Sequence, residues 1–577
     1  MEAGTGRHAA GRSTRRLAPA VYHCISTAGA SVRDHESAAQ GEGDGGAATA
    51  QARAFCASAA ALQAQRQFRH ARDAYQQALD LIPDCVAALV GQGECNIELG
   101  AYEDARDCFE LALAHNPLSV PALSGNGRLL RTAGDLAGAV ECLRQGLRQQ
   151  PDNADLLFEL GLALNRTEDT VAAIDAYERT LAADPRHHGA LVNLGLVHLT
   201  QLADAQRAQH YFETAAQAYP QSVAAQANLG LALQEQGQWD AALAHYEALI
   251  AQDPQAIEYR WNRGLAHLYR NDFARGWPDY EWRHRRGGRD VRRDFGLPVW
   301  DGADAARHHV LVYSEQGVGD EVMFAGCLPD LLARAGGVVL ECDSRLAALI
   351  ARSFPQLVVH GGPRDGSRDW LRRYPALDCQ IAIGSLPLHL RRSSADFPRH
   401  RGYLVADPAR VEAWRQRFRE SGVLPTIGFA WRGGTRKTRA GLRSLELGAC
   451  LPLAQARAAH FICLQRGDCA EELAAARRAG FDLQWWPEAL DDIEETAALI
   501  AALDLVVSVD NTVVHLAGAI GRPCWTMLAH MPDWRYGSAG DAMPWYPSLR
   551  LFRQARAGDW RNVLDAVAAA IATQAFK

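Results

Sequence analysis

The chain has 577 residues, of which 48% are hydrophobic and 22% are charged, and its formal net charge is −7. These values exclude a collagen-like, wholly disordered or disulfide-scaffold chain. They also argue against binding of nucleic acid through bulk positive charge, and no apolar run reaches the roughly 18 residues of a membrane-spanning helix.

Residues 1–50 are rich in Gly, Ala, Ser and Arg and have no apolar periodicity. We expect this segment to be disordered or low-complexity sequence, or an over-extended start of the reading frame. It lacks the apolar core of a secretory signal. The 13 cysteines of the chain are scattered and form no C-x-x-C pair. This distribution predicts reduced thiols, a cytoplasmic location and no structural metal site.

Residues 51–285 contain a repeat of 34 residues with a single step of 35. A proline closes each unit, at Pro83, Pro117, Pro151, Pro185, Pro220 and Pro254. A glycine keeps the same register, at Gly93, Gly127, Gly161, Gly195, Gly230 and Gly264. The pattern predicts pairs of amphipathic helices that stack into a superhelix, because no pair can bury its apolar face alone. We expect proline to end the second helix of each pair and an aromatic side chain to fill the gap between units.

This pattern resembles the tetratricopeptide repeat family, with six full units and a partial seventh at residues 264–280. The resemblance implies a concave face that holds a protein or peptide. Asn193, Asn228 and Asn262 stand two residues before the marker glycine in three consecutive units. Such a column can hydrogen-bond an extended peptide through both amide groups, and it resembles the asparagine ladder of protein O-GlcNAc transferases. The alternative is that Asn is merely tolerated on a polar groove.

An arginine-rich segment, residues 283–289, follows the repeats. We interpret residues 286–307 as a linker between two domains. The basic residues can be read as a nucleic-acid patch or as a solvated domain junction, and the acidic character of the whole chain favours the junction.

The chain from residue 308 to 577 alternates short β-branched runs with helical patterns. Strands are predicted at residues 309–313, 337–341, 357–359, 380–382, 426–431, 460–464 and 505–509, and a helix at 321–332. The alternation predicts an α/β fold with parallel sheets in two successive halves, about 308–420 and 421–577. Ligands of such folds bind at the carboxyl ends of the strands, so a cleft between the halves is the expected site.

A glycine-rich loop follows the first predicted strand and contains the first candidate residues. Gly317 and Gly319 permit a tight turn and a close approach of the backbone to a ligand. Asp320 follows them at the start of a helix, either as a helix cap or as a general base that deprotonates an attacking hydroxyl. Spacing alone favours the cap. The third glycine of a dinucleotide fingerprint is missing.

A second polar segment, residues 508–518, follows the strand at 505–509 and begins a helix. The free N–H groups and the positive dipole end of a helix N-terminus suit a pyrophosphate. Thr512 and His515 can add a hydroxyl and an imidazole donor. The alternative reading makes Asp510 or Thr512 an ordinary cap and His515 a packed helix residue.

Basic residues cluster at 432–439 and at Arg443, in a loop that follows a strand of the second half. Cations there would neutralise a diphosphate leaving group, although a solvated basic loop is equally compatible with the sequence. Residues 521–560 are rich in Trp, Tyr and Arg, including Trp525, Trp534, Arg535 and Trp545. This stretch is either a wall for an acceptor or base, or an aromatic core, and the core is the default.

Taken in order, these motifs resemble the ADP-heptose:lipopolysaccharide heptosyltransferase family over about residues 308–570. The Gly-x-Gly-Asp loop with Pro-x-Leu at 329–331 is similar to the opening of that family, and residues 510–518 are similar to its D-[TS]-x-x-x-H-L-A segment. Asn511 departs from the usual Thr or Ser, the lysine of the K-x-W segment is not recognisable, and heptosyltransferases lack repeats. The arrangement looks closer to bacterial proteins that join tetratricopeptide repeats to a heptosyltransferase-like domain.

The resemblance implies an α-solenoid followed by the two-Rossmann glycosyltransferase architecture known as GT-B, which needs no metal and no cofactor beyond a nucleotide-diphosphate sugar as co-substrate. It makes Asp320 the candidate base and Arg443 the phosphate-side cation. The implied donor-binding residues are Gly317, Gly319, Arg443, Gln465, Asp510, Asn511, Thr512, Val513 and His515.

Two functions remain open at the level of the sequence. The first is a hexosyl- or heptosyl-type glycosyltransferase whose repeats recruit a protein or peptide acceptor or partner. The alternative is a non-catalytic repeat scaffold with a degenerate glycosyltransferase domain. An acceptor that is a lipopolysaccharide or a small glycan, with the repeats serving only localisation, also fits the sequence.

Overall fold

The structure is a computed structural model of the chain. It describes residues 45–287, 291–303, 305–362, 368–374, 377–422, 425–434 and 440–575. Within these residues the chain divides into two compact units, with the boundary between Ala232 and Leu233. Residues 45–50, predicted to be unstructured, belong to the first helix, whose later residues are rich in Ala, a strong helix former. The rest of that predicted segment lies outside the described residues.

The first unit is a series of antiparallel helix pairs, as the repeat predicts. Its helices are α1 (Gly45–Ala64), α2 (Phe68–Leu81), α3 (Val86–Leu99), α4 (Tyr102–His115), α5 (Val120–Ala133), α6 (Leu136–Gln149), α7 (Ala154–Arg166), α8 (Thr170–Ala183), α9 (His188–Thr200), α10 (Ala205–Ala218) and α11 (Val223–Glu235), the last of which crosses the unit boundary. Each helix packs mainly against its neighbours in the chain, so the core runs along the array and not around a single centre.

Aromatic side chains fill the gaps between units where glycine leaves room for them. Phe109 in α4 is fully buried. A Cβ atom placed on Gly93 in α3 would lie 2.8 Å from its ring, and one placed on Gly125 in α5 would lie 2.3 Å from the same ring. The ring therefore occupies the space that a larger residue would need on both flanking helices. This confirms the prediction that an aromatic residue joins neighbouring units.

We expect Gly125→Ala to destabilise the first unit by about 1–3 kcal/mol, because the added methyl group forces the buried Phe109 ring out of its position. Thermal unfolding followed by far-UV circular dichroism measures the effect. The control is Gly46→Ala in α1, where the added Cβ meets no atom within 4 Å. That change should be neutral or stabilising by about 0.5–1 kcal/mol. Equal midpoints for Gly125→Ala and the wild type would contradict the packing argument.

The second unit begins with three more helices and continues into a four-stranded parallel sheet. The helices are α12 (Trp239–Gln252), α13 (Ile257–Tyr269) and α14 (Phe273–Tyr280). The strands are β1 (Ala305–Tyr313), β2 (Ala335–Cys342), β3 (Val358–Gly361) and β4 (Leu377–Ala382), in the order β3-β2-β1-β4. The helices of this half are α15 (Val318–Phe324), α16 (Leu328–Leu332), α17 (Ala347–Ser353) and α18 (Leu386–Leu390).

A second parallel sheet of six strands follows. The intervening helix α19 spans Pro408–Ser421. The strands are β5 (Thr426–Ala430), β6 (His460–Cys463), β7 (Leu483–Gln484), β8 (Leu505–Val509), β9 (Cys524–Leu528) and β10 (Leu549–Arg553), in the order β10-β9-β8-β5-β6-β7. The helices are α20 (Ala440–Arg443), α21 (Leu451–Ala456), α22 (Ala470–Arg478), α23 (Pro487–Asp491), α24 (Ile493–Ala502), α25 (Thr512–Ile520) and α26 (Arg561–Thr573). The predicted α/β architecture with parallel sheets is confirmed.

The helix predicted at residues 321–332 is broken in the structure. α15 ends at Phe324, a 3₁₀ turn spans Ala325–Cys327, and α16 follows. Pro329 supplies no N–H group, so the helical ladder is interrupted there. The Tyr403 hydroxyl donates to the carbonyl oxygen of Val322 at 2.7 Å, which satisfies part of the interrupted backbone.

The end of the repeats is built into the core of the α/β part. The predicted partial seventh unit is a complete helix pair, α13 and α14. The Trp277 ring in α14 packs edge-on against Trp534 and Trp545, with centroids 5.6 and 6.4 Å away. Its Nε1 donates to the carbonyl oxygen of Arg391 at 2.7 Å. One hydrophobic core therefore contains both the last repeat and the two sheets.

The prediction that the arginine-rich segment is a solvated junction is wrong at its first residue, Arg283. Arg283 is fully buried, and its guanidinium donates to Glu315 at 2.7 Å, to Glu281 at 2.6 Å and to Ser385 at 2.7 Å. A buried guanidinium is stable only when carboxylates and hydrogen bonds replace its water. The glutamates that do so here are distant in the sequence or on the preceding turn, which a reading of local charge does not detect. Residues 288–290 of the segment lie outside the described part.

We expect Arg283→Met to lower the free energy of unfolding of the second unit by about 3–5 kcal/mol, because Glu315 stays buried without its cation. All 14 tryptophans follow residue 233, so urea unfolding followed by tryptophan fluorescence reads this unit alone. Adding Glu315→Leu should recover part of the loss, since no buried carboxylate then lacks a partner. The exposed neighbour provides the control: Arg285→Met should change stability by less than about 0.5 kcal/mol. If Arg283→Met loses no more stability than Arg285→Met, Arg283 is not the buried partner of Glu315.

The composition also led to predictions about cysteines, membrane-spanning helices and metal sites. Twelve cysteines there are free thiols. No helix in the described ranges is long and apolar enough to cross a membrane. Across the same residues, no group of three His, Cys, Asp or Glu side chains is placed to hold a metal ion. A cytoplasmic location and independence of metal stay predictions.

Candidate functional site

The two motifs singled out in the sequence meet in space, although they follow strands of different sheets. The glycine-rich loop follows β1, and the polar turn at residues 510–511 follows β8. A Cβ atom placed on Gly319 would lie 3.2 Å from Cδ2 of His515 and 3.6 Å from Oγ1 of Thr512. Each loop lies at the carboxyl end of its sheet, the position at which parallel α/β folds bind ligands. This junction between the two halves is the candidate site.

Asp320 has the capping contact that its spacing favours and a second contact that the sequence did not predict. It is the third residue of α15, and its Oδ2 accepts from the N–H of Gly317 at 3.1 Å. Its Oδ1 accepts from the Nη2 of Arg535. The side chain is 23% exposed. Both carboxylate oxygens are therefore engaged, while one edge of the group still reaches solvent.

The turn after β8 contains a buried carboxylate, Asp510, and its partners. Its Oδ1 accepts from the hydroxyl of Tyr536 at 2.7 Å, and Arg443 Nη2 lies 2.6 Å from its Oδ2. The same Nη2 donates to the Asp510 carbonyl oxygen at 2.9 Å. Burial raises the pKa of Asp510, and the positive charge of Arg443 opposes that rise. Arg443 is thus held by a carboxylate beside the place predicted for a diphosphate.

The cap of α25 is neither of the residues considered from the sequence. Asn511 occupies the N-cap position, and its Oδ1 accepts from the N–H of Val513 at 3.0 Å. Its amide nitrogen donates to the carbonyl oxygen of Arg432 at 3.2 Å. Asn is a strong N-cap residue because its short amide reaches the free N–H groups of the first turn. The suggestion that Asp510 or Thr512 caps this helix is therefore wrong, and the N–H of Val513 is already satisfied.

His515 is a buried, neutral imidazole. Its side chain is 6% exposed, and its Nδ1 lies 3.1 Å from the hydroxyl of Tyr546. Burial, together with the positive charge of Arg535, lowers the pKa of His515 to about 4. At neutral pH the ring carries one N–H and no charge. It can position a ligand by hydrogen bonding but adds no cation to the site.

The low pKa of His515 predicts a pH dependence of stability. Below about pH 6.5 the unfolded chain is protonated at this residue, whereas the folded chain is protonated only near pH 4. The free energy of unfolding therefore decreases as the pH is lowered from about 6.5 to about 4. Between pH 7 and pH 5 we expect the wild type to lose about 2 kcal/mol more than His515→Gln. Urea unfolding followed by tryptophan fluorescence at both pH values measures the difference. Identical losses in the two proteins would show that His515 titrates normally.

Arg535 is the main site residue that the sequence analysis did not assign. It lies in a 3₁₀ turn, Trp534–Tyr536, between β9 and β10, and pairs with both Asp320 and Asp533. Trp525, Trp534 and Trp545 around it are at most 8% exposed, so the default prediction of an aromatic core is confirmed. The sequence signal that could have identified it is an arginine within the Trp- and Tyr-rich connection between β9 and β10. Its carboxylate partner could not be identified because Asp320 comes from the other half.

Gln465 and a neighbouring cavity lie at the carboxyl end of β6. Its Oε1 accepts from the backbone N–H of Arg432 at 2.8 Å and of Trp431 at 3.2 Å. The cavity has a volume of about 270 Å³. It is lined by Gln465, Gly467, Asp468, Trp485, Pro487, Leu490 and Asp491. The Nε1 of Trp485 is buried and has no hydrogen-bond partner among the described residues.

The basic loop is described only at its two ends. Arg432 donates to the carbonyl oxygen of Asp468 at 2.9 Å and lies 3.4 Å from Glu472. Residues 435–439, which include Lys437, lie outside the described part. The prediction that this loop faces the cleft is therefore untested at its centre.

The predicted asparagine ladder is not an open surface. Asn193, Asn228 and Asn262 are 1%, 4% and 3% exposed. The amide nitrogen of Asn193 donates to the carbonyl oxygen of Gly189, one turn earlier in α9, at 2.8 Å. These side chains are covered in the structure, and their contact with an extended peptide stays a prediction. Position in the repeat did not reveal how deeply the residues are buried.

Comparison with known proteins shows the repeats directly. A model described as "Tetratricopeptide repeat" matches residues 56–119, 125–188 and 166–201, and one described as "TPR repeat" matches residues 230–269. The N-terminal half is thus a solenoid of tetratricopeptide repeats, a class of protein-binding modules.

One curated relative and two solved structures are also similar to this chain. Protein FlbA of Caulobacter vibrioides is 31% identical over 393 residues, which is 65% of each chain. This chain therefore spans 65% of the length of that relative. The pilF structure of Pseudomonas aeruginosa is 15% identical, covers 37% of this chain and 97% of its own, and has a TM-score of 0.34. PilW, a type IV pilus biogenesis factor, is 18% identical, covers 36% and 96%, and has the same TM-score of 0.34.

Proposed function

We propose that this protein is a glycosyltransferase of GT-B architecture that moves a sugar from a nucleotide-diphosphate sugar to an acceptor recruited by the repeats. One observation carries the proposal: the glycine-rich loop of the first half and the α25 turn of the second half meet at Gly319 and His515. In parallel α/β folds the carboxyl ends of the strands are where ligands bind, so we propose that a donor and an acceptor are held together where these two loops meet. The resemblance to heptosyltransferases rests on these same two segments.

The donor would lie along the second half. The nucleoside would occupy the cavity beside Gln465, which Trp485 also lines. The diphosphate would approach the N-terminal end of α25, whose dipole favours negative charge. Arg443 and the hydroxyl of Thr512 would bind its phosphate oxygens there.

The proposed reaction is a direct displacement at the anomeric carbon. The acceptor hydroxyl oxygen forms a bond to that carbon while the bond from the carbon to the phosphate oxygen breaks. Asp320 takes the hydroxyl proton as general base. The electron pair of the broken bond stays on the departing diphosphate, whose charge Arg443 stabilises. The sugar would be a hexose or heptose, and we propose that the reaction takes place in the cytoplasm without a metal ion.

A second candidate function, a non-catalytic repeat scaffold, is favoured by the charge balance of the site. Among the described residues, Arg443 already pairs with Asp510, and Arg535 already pairs with Asp320 and Asp533. A diphosphate must compete with these carboxylates for both cations. A scaffold would need no such exchange, and its repeats alone would bind a partner.

Binding of nucleotides separates the two functions. We expect one nucleoside diphosphate from a panel of ADP, UDP, GDP and CDP to raise the unfolding midpoint of the full chain, read by tryptophan fluorescence. At 100 times Kd the stabilisation is about 2.7 kcal/mol. Arg443→Ala should abolish the shift through loss of a phosphate contact. Arg556→Ala, which changes an exposed arginine on the loop after β10, should keep it. No shift with any nucleotide, or with its sugar conjugates, would favour the scaffold.

A further inference from the structure

Arg535 connects the two halves of the candidate site through a single guanidinium. Its Nη2 donates to Asp320 in the first half, and its Nη1 donates to Asp533, two residues earlier in its own chain segment. The arginine side chain is 13% exposed and Asp320 is 23% exposed. Its Nε is buried and has no hydrogen-bond partner among the described residues. The Nε–H group is therefore a donor without a partner, besides the two contacts that hold the guanidinium.

The backbone that carries Arg535 is fixed on both sides. Trp534 packs against Trp277 with ring centroids 5.6 Å apart. The hydroxyl of Tyr536 donates to Asp510. Asp533 caps the turn by accepting from the N–H of Arg535 at 3.2 Å. The side chain can thus exchange partners at its tip while its main chain stays in place.

Both arginines of the site act on the same carboxylates. Burial alone would raise the pKa of Asp533, but the positive charges of Arg535 and Arg443 hold it below its usual value. The charge of Arg535 also opposes the rise in the pKa of Asp510 that burial causes, although Arg443 has the larger effect there. The contacts place both guanidinium groups near the N-terminal end of α25, because Arg443 pairs with Asp510, and Asp510 accepts from Tyr536, the residue after Arg535. A diphosphate in that region would meet both.

We propose that Arg535 is a ligand of the donor diphosphate and that, until the diphosphate arrives, it keeps Asp320 in an ion pair. This inference rests on the proposed function and adds an order of events to it: the donor binds first, and Asp320 is released afterwards. In the empty site Oδ1 of Asp320 is occupied by the Nη2 donor. When a phosphate oxygen accepts from that donor instead, Oδ1 is released and can accept the proton of the acceptor hydroxyl.

The exchange is chemically balanced. One charge-assisted hydrogen bond to a carboxylate is replaced by one to a phosphate, and Arg forms both with similar geometry. The released Asp320 is not left as a buried unpaired charge, because its exposed edge reaches water and its Oδ2 keeps the Gly317 N–H. Asp533 retains its own contact and keeps the guanidinium oriented. The base would therefore become available only after the donor has bound.

The proposal predicts opposite effects of two substitutions on diphosphate affinity. Calorimetric titration of the full chain with inorganic pyrophosphate and with ADP, UDP, GDP and CDP measures them. Arg535→Gln should weaken the binding of the active diphosphate by about tenfold or more, through loss of a charge-assisted hydrogen bond. Asp320→Asn should tighten it by about threefold to tenfold, because Arg535 no longer has to leave a carboxylate. Transfer by Asp320→Asn should be lost although its donor binds well.

The double variant separates partner exchange from simple charge removal. In the Arg535→Gln background, Asp320→Asn should leave the affinity unchanged, since no ion pair remains to be broken. Tightening of equal size in both backgrounds would mean that Asp320 merely repels the anion, and would overturn the proposal. Asp565→Asn, an exposed carboxylate of α26, is the matched control and should not alter binding.

The outcomes also distinguish this inference from the function on which it rests. If the wild type binds a nucleoside diphosphate but Asp320→Asn binds it no tighter, the exchange is wrong and the transferase proposal stands. If the wild type binds no diphosphate, both fall. Asp320→Asn removes a partly exposed charge and should fold even where Arg535→Gln does not. An unchanged affinity in Asp320→Asn therefore overturns the exchange without the buried variant.

Discussion

The buried ion pair between Arg283 and Glu315 is the interaction on which the arrangement of the second unit depends. Arg283 comes from the turn after the last repeat helix, and Glu315 lies two residues before Gly317. The adjacent Gln316 is held by the Tyr280 hydroxyl at 2.7 Å. The glycine-rich loop therefore begins from a point fixed by the repeats as well as by β1. A guanidinium without water must be fully paired, so this junction tolerates little displacement.

The requirement that buried charges be paired also holds in the candidate site. Charges with little access to water persist there because each one faces an opposite charge or a hydrogen-bond donor. Asp510, Arg443 and Tyr536 form one such group, and Asp320, Arg535 and Asp533 form the other. Such pairing makes the site stable when empty. It also means that any anionic ligand must offer at least as good a partner as the carboxylate it displaces.

The sequence was informative where the signal is local or periodic. The repeat spacing located the helix pairs, and alternating β-branched runs located seven strands, with β8 matching at both ends. It missed β7, which has two residues, and β9 and β10, which lie in the stretch read as aromatic. β7 pairs with β6, β9 with β8 and β10 with β9, and this pairing is not encoded in the composition of the three strands.

The site was predicted in its parts but not in its connections. Gly319, Thr512 and His515 were expected in one cleft, and the structure brings them within contact distance. The partner of Asp320 was not predictable, because an ion pair between residues of different halves leaves no spacing signal. Burial was the other property that the local sequence did not reveal, because tertiary packing covers Arg283 and the three asparagines.

The inclusion of α13 and α14 in the α/β core has a consequence for how such a chain can vary in length. Repeats that lie wholly upstream of residue 233 can be duplicated or deleted without removing any residue of the second unit. The final helix pair cannot, because Trp277 is part of the core that also contains Trp534 and Trp545. We therefore expect changes in repeat number to fall among the amino-terminal repeats, while the last helix pair changes together with the core of the α/β part.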